Sequence, residues 1–562
     1  MVQTRSKKTR LNDGINNERF TRCWVPVTKT FNHIRNDPVV DWIILNTPKP
    51  SPDTRTSRPS VILQKGLDFE EAVIDYIHNN ICKVVKVCDR FDSSKVKETK
   101  RLMDSNTPII HSAPLEHKGL KCYGIADLIV HRNTLPYLIP TVDLEDDPST
   151  YFVIDIKFST LNQATSSESL RNSMKDLCYK SQVWCYTKCL EELGYNPSKA
   201  FILGRKTNKT TGAFDALGTV EFNREGPAIE ERTVKAIQWI QDVTYWGKIW
   251  EGPEDRVELY PNMKNHMTCE KVTKAKQDLA DRIGEITSVW YCSYRNRMNA
   301  HSKGITSWKD PRCNATTLGI RDSLVVPINT ILKTNQHPEQ KISDFTLDKT
   351  ELPGTTKCFI DFETTSDVLS EICLHNPSSL ARIFCAGIHV LEEDGLSYFK
   401  QFVSNGLKDS DESILLKDVS NFLSTLNDPV LYHWYADEMI WNKSCLRLNL
   451  DSGNNAWVDL YELFVRNCII VKGSLTFKLK HIVSALHKNG LIDLSYDGLE
   501  TIKNGMDAQN VAKLYYDEKT EKKLQSSTSG VEKEFEEVLT YNEIDCKVLF
   551  EIYQKILLSR VN

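Results

Sequence analysis

Apolar positions recur along this chain with two different periods, and the changes of period divide it. From Trp24 to about Asp92 the spacing is helical, and Gly66 to Ile74 reads as the opening of an amphipathic helix with Asp68, Glu70 and Glu71 in its first turn. Two strand patterns follow, Leu120 to His131 and Tyr151 to Phe158, which pair as a hairpin interrupted by a long loop. A helix over about Ser169 to Leu193 ends at Gly194 and Pro197. Strands at Lys199 to Gly204 and Leu217 to Phe222, then a helix beginning near Pro227, complete a first α/β unit.

Between about residues 256 and 350 short helical patterns alternate with turns such as Gly304 and Asp310-Pro311, so this stretch reads as a helical connector. A second α/β pattern begins beyond Pro353. It has strands at Lys357 to Glu363, Ile383 to Val390, Tyr398 to Val403 and Pro429 to Trp434, with a helix over Glu412 to Leu426. Helices fill the remainder, the last over about Val531 to Leu557, and the polar run Glu518 to Gly530 reads as a surface loop. No internal repeat is visible. The expected organisation is a basic arm over 1–20, a first domain over 21–255, the connector over 256–350 and a last domain over 351–562.

Length and composition narrow this picture. At 562 residues the chain exceeds one hydrophobic core, with domains of about 150 residues as the guide. A formal net charge of -4 does not announce a nucleic-acid binder, yet acidic metal sites and basic grooves can cancel within a neutral total. The connector carries Lys271, Lys274, Lys276, Arg282, Arg295, Arg297, Lys303, Lys309 and Arg312, enough to grip a phosphate backbone or simply to form a solvated helix face. Sixteen cysteines without a Cys-x-x-Cys pair point to reduced thiols and an intracellular protein. No run approaches the length of a membrane span, and Met1 to Leu11 lacks the apolar core of a secretory leader.

Candidate chemistry lies in two acidic constellations. In Val153-Ile154-Asp155-Ile156-Lys157, strand alternation puts Asp155 and Lys157 on one face, a carboxylate for metal beside an ammonium for a reacting phosphate. Asp127 would join from the partner strand and Glu70 from the helix, while Gln182 and Tyr186, four apart, share a helix face. In the second half, Asp361 and Glu363 share one face at the end of an apolar strand, and Tyr541 and Asp545 share a helix face. Carboxylates gathered at one point repel unless a cation neutralises them, and phosphodiester hydrolysis is the commonest chemistry that uses such a cluster.

The series Gly66-x-x-Phe69-Glu70, Asp127, Asp155-x-Lys157 and Gln182-x-x-x-Tyr186 resembles the PD-(D/E)xK nucleases of the RecB type. That resemblance implies a restriction-endonuclease-like fold, with Glu70, Asp127 and Asp155 as metal ligands and Lys157, Gln182 and Tyr186 assisting. Ala126 stands where the family's proline is usual, and Asp155 replaces the commoner glutamate. Some relatives carry an iron–sulfur cluster. Cys178, Cys185 and Cys189 line one helix face here without a closing pair, and read as core residues.

The second constellation resembles the ribonuclease-H-like DEDD exonucleases of the subgroup with a tyrosine that positions the attacking water. The resemblance implies two Mg2+ or Mn2+ ions held by Asp361, Glu363, a third acid and Asp545, with Tyr541 as that tyrosine, and 3′ to 5′ polarity. In Val430 to Glu438, counting from the first residues of the motif selects Glu438 as the remaining ligand, with Asp437 as the alternative and Asp459 supporting from outside. Together the resemblances imply an α/β multidomain nuclease with two centres acting on nucleic acid, DNA ahead of RNA. The alternatives are an adaptor that binds nucleic acid with one centre inactive, and an end-trimming nuclease of repair or recombination.

Overall fold

The computed structural model describes residues 23–47, 61–140, 142–145, 147–164, 169–209, 212–267, 269–366, 372–375, 381–520 and 530–561. The basic arm over 1–20 and most of the polar run 518–530 lie outside the described residues. The chain divides into two compact units, one built on Gly66–Tyr260 with residues 23–47, the other on Pro261–Cys373 and Ser378–Asn562.

The first unit is a mixed sheet of seven strands: β1 (Val25–Pro26), β2 (Val84–Lys86), β3 (Ile109–His117), β4 (Cys122–His131), β5 (Tyr151–Leu161), β6 (Lys199–Thr207) and β7 (Leu217–Glu221). Its order is β2-β3-β4-β5-β6-β7, with β1 pairing β4. The expected β4–β5 hairpin is present, Leu128 facing Ile154 and His131 facing Tyr151. β5 is central and buried on both faces from Tyr151 to Ile156, opening only at Lys157. The Met174–Glu192 helix packs across β3 to β6, its first turn capped by the Ser173 side chain. The helix carrying Glu70 runs over Val61–Asn80, so Gly66 lies within it and not at its start.

β3 departs from the expected pattern because Pro114 interrupts it. Proline cannot donate to a ladder, which argues against a strand interior. Here β2 pairs only with Ile109 to His111, so the Pro114 nitrogen faces an open edge and breaks no bond.

The second unit holds a five-stranded sheet of β8 (Thr356–Thr365), β9 (Arg382–Leu391), β10 (Ser397–Val403), β11 (Pro429–His433) and β12 (Ala456–Asp459), in the order β10-β9-β8-β11-β12. β8 to β10 are antiparallel, while β11 runs parallel to β8 and to β12. The last helix spans Gly530–Glu551 and continues as a π-helical turn over Ile552–Leu557. Residues from the helical stretch after Pro261 share a core with this unit: Ile286, Val289, Ile328 and Ile331 cluster with Leu460, Phe464, Phe477 and Ile552. No helix among the described residues is long and apolar enough to cross a membrane.

One ion pair ties that helical stretch down. Arg297 and Glu285 side chains are 2% and 0% exposed and lie 3.2 Å apart, with Arg297 also donating to the Pro261 carbonyl at 2.9 Å. Removing one member strands the other charge in a dry interior. Arg297→Ala should therefore lower the unfolding free energy of this unit by about 3–5 kcal/mol, measurable by urea denaturation.

Candidate active sites

In the first unit the site forms where strands part. The β4–β5 ladder stops at Leu128 and Ile154, and beyond it the Asp127 carboxylate accepts the Ile156 N–H at 2.7 Å. On the other side of β4, Ser112 sits opposite Asp127 with φ of 49°, in the left-handed region, between the pairs His111–Leu128 and Ala113–Ala126. Such strain is held in place by the surrounding sheet and is common where strands are re-aimed at a site.

Lys157 Nζ lies 2.7 Å from Asp155 Oδ2 and 3.9 Å from Asp127 Oδ2. Asp155 is fully buried, and its Oδ1 has no hydrogen-bond partner among the described residues. Burial pushes both carboxyls above the ordinary range; at Asp127 the Asp155 charge adds to it, and at both Lys157 offsets it. Burial works against the Lys157 charge too, but the two carboxylates prevail and hold its pKa above normal. Glu70 approaches from its helix and contacts His111 Nε2 at 3.3 Å. Its charge acts on both Asp127 and Asp155, but the three carboxylates do not gather one oxygen each within a mutual 4.8 Å, as the trio in the second unit does.

Gln182 and Tyr186 do share a face, and the Gln182 amide nitrogen and the Tyr186 hydroxyl bond locally, while Gln182 Oε1 is buried with no partner among the described residues. Gln182 Nε2 donates to the Tyr186 hydroxyl at 3.2 Å, and that hydroxyl donates to the Ile125 carbonyl at 2.8 Å. Tyr186 also packs so closely on β4 that a Cβ at Gly124 would meet its hydroxyl at 2.9 Å. Tyr186 thus holds the strand that carries Asp127. Tyr179, on the same helix face, places its ring 5.8 Å from Lys157 Nζ, and neither it nor His111 had a local signal strong enough to be read from the sequence. Cys178 packs with Ile34 and Ala236, whereas Cys185 and Cys189 face Cys122.

The second site is built on β8. β11 pairs with β8 only as far as Phe359, so beyond that point β8 has a free edge where side chains and N–H groups are open to new partners. Asp361 and Glu363 project there, and the last helix brings Asp545 against them. One carboxylate oxygen from each of the three lies within 4.8 Å of the others. The helix can approach because Gly387, paired with Asp361 across β8 and β9, has no side chain: a Cβ there would collide with Asn542 and lie 2.8 Å from Cys546 Sγ. Asn542 Nδ2 in turn donates to both the carbonyl and the carboxylate of Asp361, each at 3.0 Å.

Glu438 is not brought into this cluster. It is exposed, while Asp437 is 5% exposed and faces Asp361, Glu363 and Asp545. Both residues open the Asp437–Arg447 helix, where consecutive side chains point about 100° apart, so only one can face the sheet. It is Asp437 that faces inward, with His433 Nδ1 3.7 Å from its Oδ2 and the Phe362 and Trp434 backbone favouring its charged form. Asp459 caps the next helix, accepting the Tyr461 N–H at 2.8 Å and the Tyr435 N–H at 2.9 Å.

Two further residues complete the site. The Tyr496 hydroxyl donates to Asp545, and Tyr541 also hydrogen-bonds to that carboxylate. Lys480 lies 4.2 Å from the Tyr541 ring centroid and 5.0 Å from that of Tyr496, and its charge favours the ionised forms of Asp545 and Glu363. Tyr496 is 49 residues from Asp545, so no sequence spacing links them.

Burial comes first and mutual repulsion second in pushing Asp361 and Glu363 well above the ordinary carboxyl range. Burial raises Asp545 from 3.8 to about 6, with Tyr496, Lys480 and Tyr541 acting against it. An acid whose pKa is higher folded than unfolded binds more protons in the native state, so stability falls as pH rises between the two values. In the metal-free protein Asp545 should cost about 3 kcal/mol of stability between about pH 4 and about pH 6, and Asp361 and Glu363, pushed well above the ordinary range, should extend the loss to higher pH. Divalent metal should restore stability at pH 7, which thermal unfolding with EDTA or Mg2+ will show.

Residues 358–557 match the RNase_H superfamily and form a domain of that class. The structure titled "crystal structure of full-length 3'-exonuclease" is similar at 17% identity over 41% of this chain and 81% of its own, with a TM-score of 0.19, which adds nothing to the superfamily match. No curated protein matches the chain.

Proposed function

We propose that the chain is a metal-dependent nuclease with two centres, a 3′ to 5′ exonuclease centre at Asp361, Glu363, Asp437 and Asp545 and a RecB-like centre at Glu70, Asp127, Asp155 and Lys157. The observation that carries this reading is the convergence of Asp361, Glu363 and Asp545 within 4.8 Å inside an RNase_H-superfamily domain. Three carboxylates at that distance suit a hard divalent cation, and all-oxygen donors favour Mg2+ or Mn2+. When bound, such ions lower the pKa of water and stabilise the departing 3′ oxygen.

The chain's own groups do the rest. Tyr541, hydrogen-bonded to Asp545, orients the attacking water, and the Tyr496 hydroxyl, donating to Asp545 Oδ1, fixes that carboxylate. Lys480 offers a positive charge to the phosphate. In the first centre, Asp127 and Asp155 hold metal and Lys157 steadies the reacting phosphate, with Gln182 and Tyr186 positioning β4. By resemblance the substrate is DNA ahead of RNA.

A second reading has the first unit hold nucleic acid without cutting it. One observation favours it: Lys157 already lies 2.7 Å from Asp155 and supplies the charge that a cation would bring. A time course on end-labelled single- and double-stranded DNA and RNA, with Asp155→Asn, Asp361→Asn and both, separates the readings. Two distinct product patterns, each lost with one substitution, support two centres. Binding in EDTA with no first-centre cleavage under Mg2+ or Mn2+ supports the holding role, and a double variant as active as wild type overturns the nuclease.

A further inference from the structure

Two tyrosines in the second unit are at once strained and exposed. Tyr435 has φ of 80° and Tyr291 has φ of 57°, conformations that side-chain-bearing residues rarely adopt. Their side chains are 68% and 60% exposed. Burial therefore does not explain them, since each holds an unfavourable backbone to present an aromatic ring to solvent. Strain retained at an exposed position points to use.

Both rings lean on one aromatic framework. Tyr435 meets Tyr461 edge-on at 5.0 Å, and Tyr291 meets Trp290 edge-on at 4.6 Å. Trp290 packs on Phe477 at 4.8 Å and hydrogen-bonds to Tyr461. The framework is pinned by backbone: Trp290 N–H donates to the Leu475 carbonyl at 2.8 Å, and Trp434 Nε1 to that of Phe477 at 3.2 Å. Next to buried Phe477, Lys478 is exposed and has no carboxylate partner among the described residues. Two residues further on is Lys480, beside the acid cluster, and two residues after Tyr435 is Asp437 within it.

We propose that this surface is a stacking platform for single-stranded nucleic acid, leading a strand into the centre at Asp361. Unpaired bases offer flat faces to Tyr291 and Tyr435, and Lys478 meets the backbone phosphate between them; a duplex keeps its bases stacked on each other and cannot use exposed rings in this way. The assignment of direction rests on the exonuclease reading given above, but the binding site itself does not. Trp290 and Tyr291 come from the helical stretch after Pro261, which thereby contributes to substrate choice.

The test is anisotropy of a fluorescein-labelled single strand with the full chain in EDTA, so that no hydrolysis intervenes. Tyr291→Ala and Tyr435→Gly should each weaken binding by about 10-fold or more, Tyr291→Phe should bind as wild type, and Lys478→Gln should flatten the salt dependence by about 0.7 in log–log slope. Glycine suits the backbone at 435, so that variant should fold at least as well as wild type. Should it not fold, Tyr291→Ala decides alone. Unchanged affinity in the ring-deleted variants, or equal binding of a blunt duplex, overturns the proposal. A p-nitrophenyl ester of a mononucleotide, too short to reach the platform, reports chemistry separately: platform variants should cleave it at the wild-type rate. Failure of wild type to cleave it or any polymer would count against the nuclease reading and leave the binding result standing.

Discussion

Asp361→Asn should slow release of 3′-terminal nucleotides by about three orders of magnitude while making the metal-free second unit more resistant to heat. The loss follows from removing a charge that holds the cation, a contribution of several kcal/mol at tenfold per 1.36 kcal/mol. The gain follows from the same geometry. Asp361 lies among Asp545, Asp437 and Glu363, and burial and their repulsion lift it well above the ordinary range, so ionising it at pH 7 costs folding energy. A neutral amide of similar shape removes that cost. Activity and metal-free stability should move in opposite directions, and Mg2+ should raise the unfolding temperature of wild type more than that of the variant. A buried acidic cluster with no catalytic role would share the stability gain but would show neither the loss of activity nor the smaller Mg2+ shift in the variant.

The first centre should answer in the opposite sense. Asp155→Ala leaves the Lys157 ammonium, only 21% exposed, with Asp127 as its nearest carboxylate at 3.9 Å. Breaking a buried pair costs about 3–5 kcal/mol, so this variant should lose stability as well as first-centre cleavage. Adding Lys157→Met removes the stranded charge, and the double variant should recover much of that stability while remaining inactive. Urea denaturation beside a cleavage assay reads both. The contrast is physical: in the first site Lys157 lies 2.7 Å from Asp155, whereas in the second Lys480 offsets only part of the burial and repulsion that hold Asp361 and Glu363 well above the ordinary carboxyl range.

How much of this could be read from the chain depended on whether a site was local. Asp361 and Glu363 share a face because strand side chains alternate, and Tyr541 and Asp545 because helices repeat every 3.6 residues, so both halves of the second site are written in short spacings. Asp155 and Lys157 are legible for the same reason. What joins the halves is not local: Gly387 admits the last helix, and Tyr496 and Lys480 reach the acids from separate segments. That Asp437 is buried facing the acids while Glu438 is exposed depends on how the Asp437–Arg447 helix sits on the sheet, which the motif does not carry. β3 was hidden by Pro114, harmless only because β2 is short. The core shared by Ile286 and Ile328 with Phe464 likewise joins residues too distant for any periodicity to connect.

Manganese binding tests the central claim most directly. Electron paramagnetic resonance at neutral pH counts bound Mn2+ per chain in wild type and in the Asp361→Asn, Asp545→Asn double variant. The geometry predicts that the double variant loses at least one tightly held ion while its first unit keeps its fold. An unchanged count, or a wild-type chain that binds no manganese there, would contradict it.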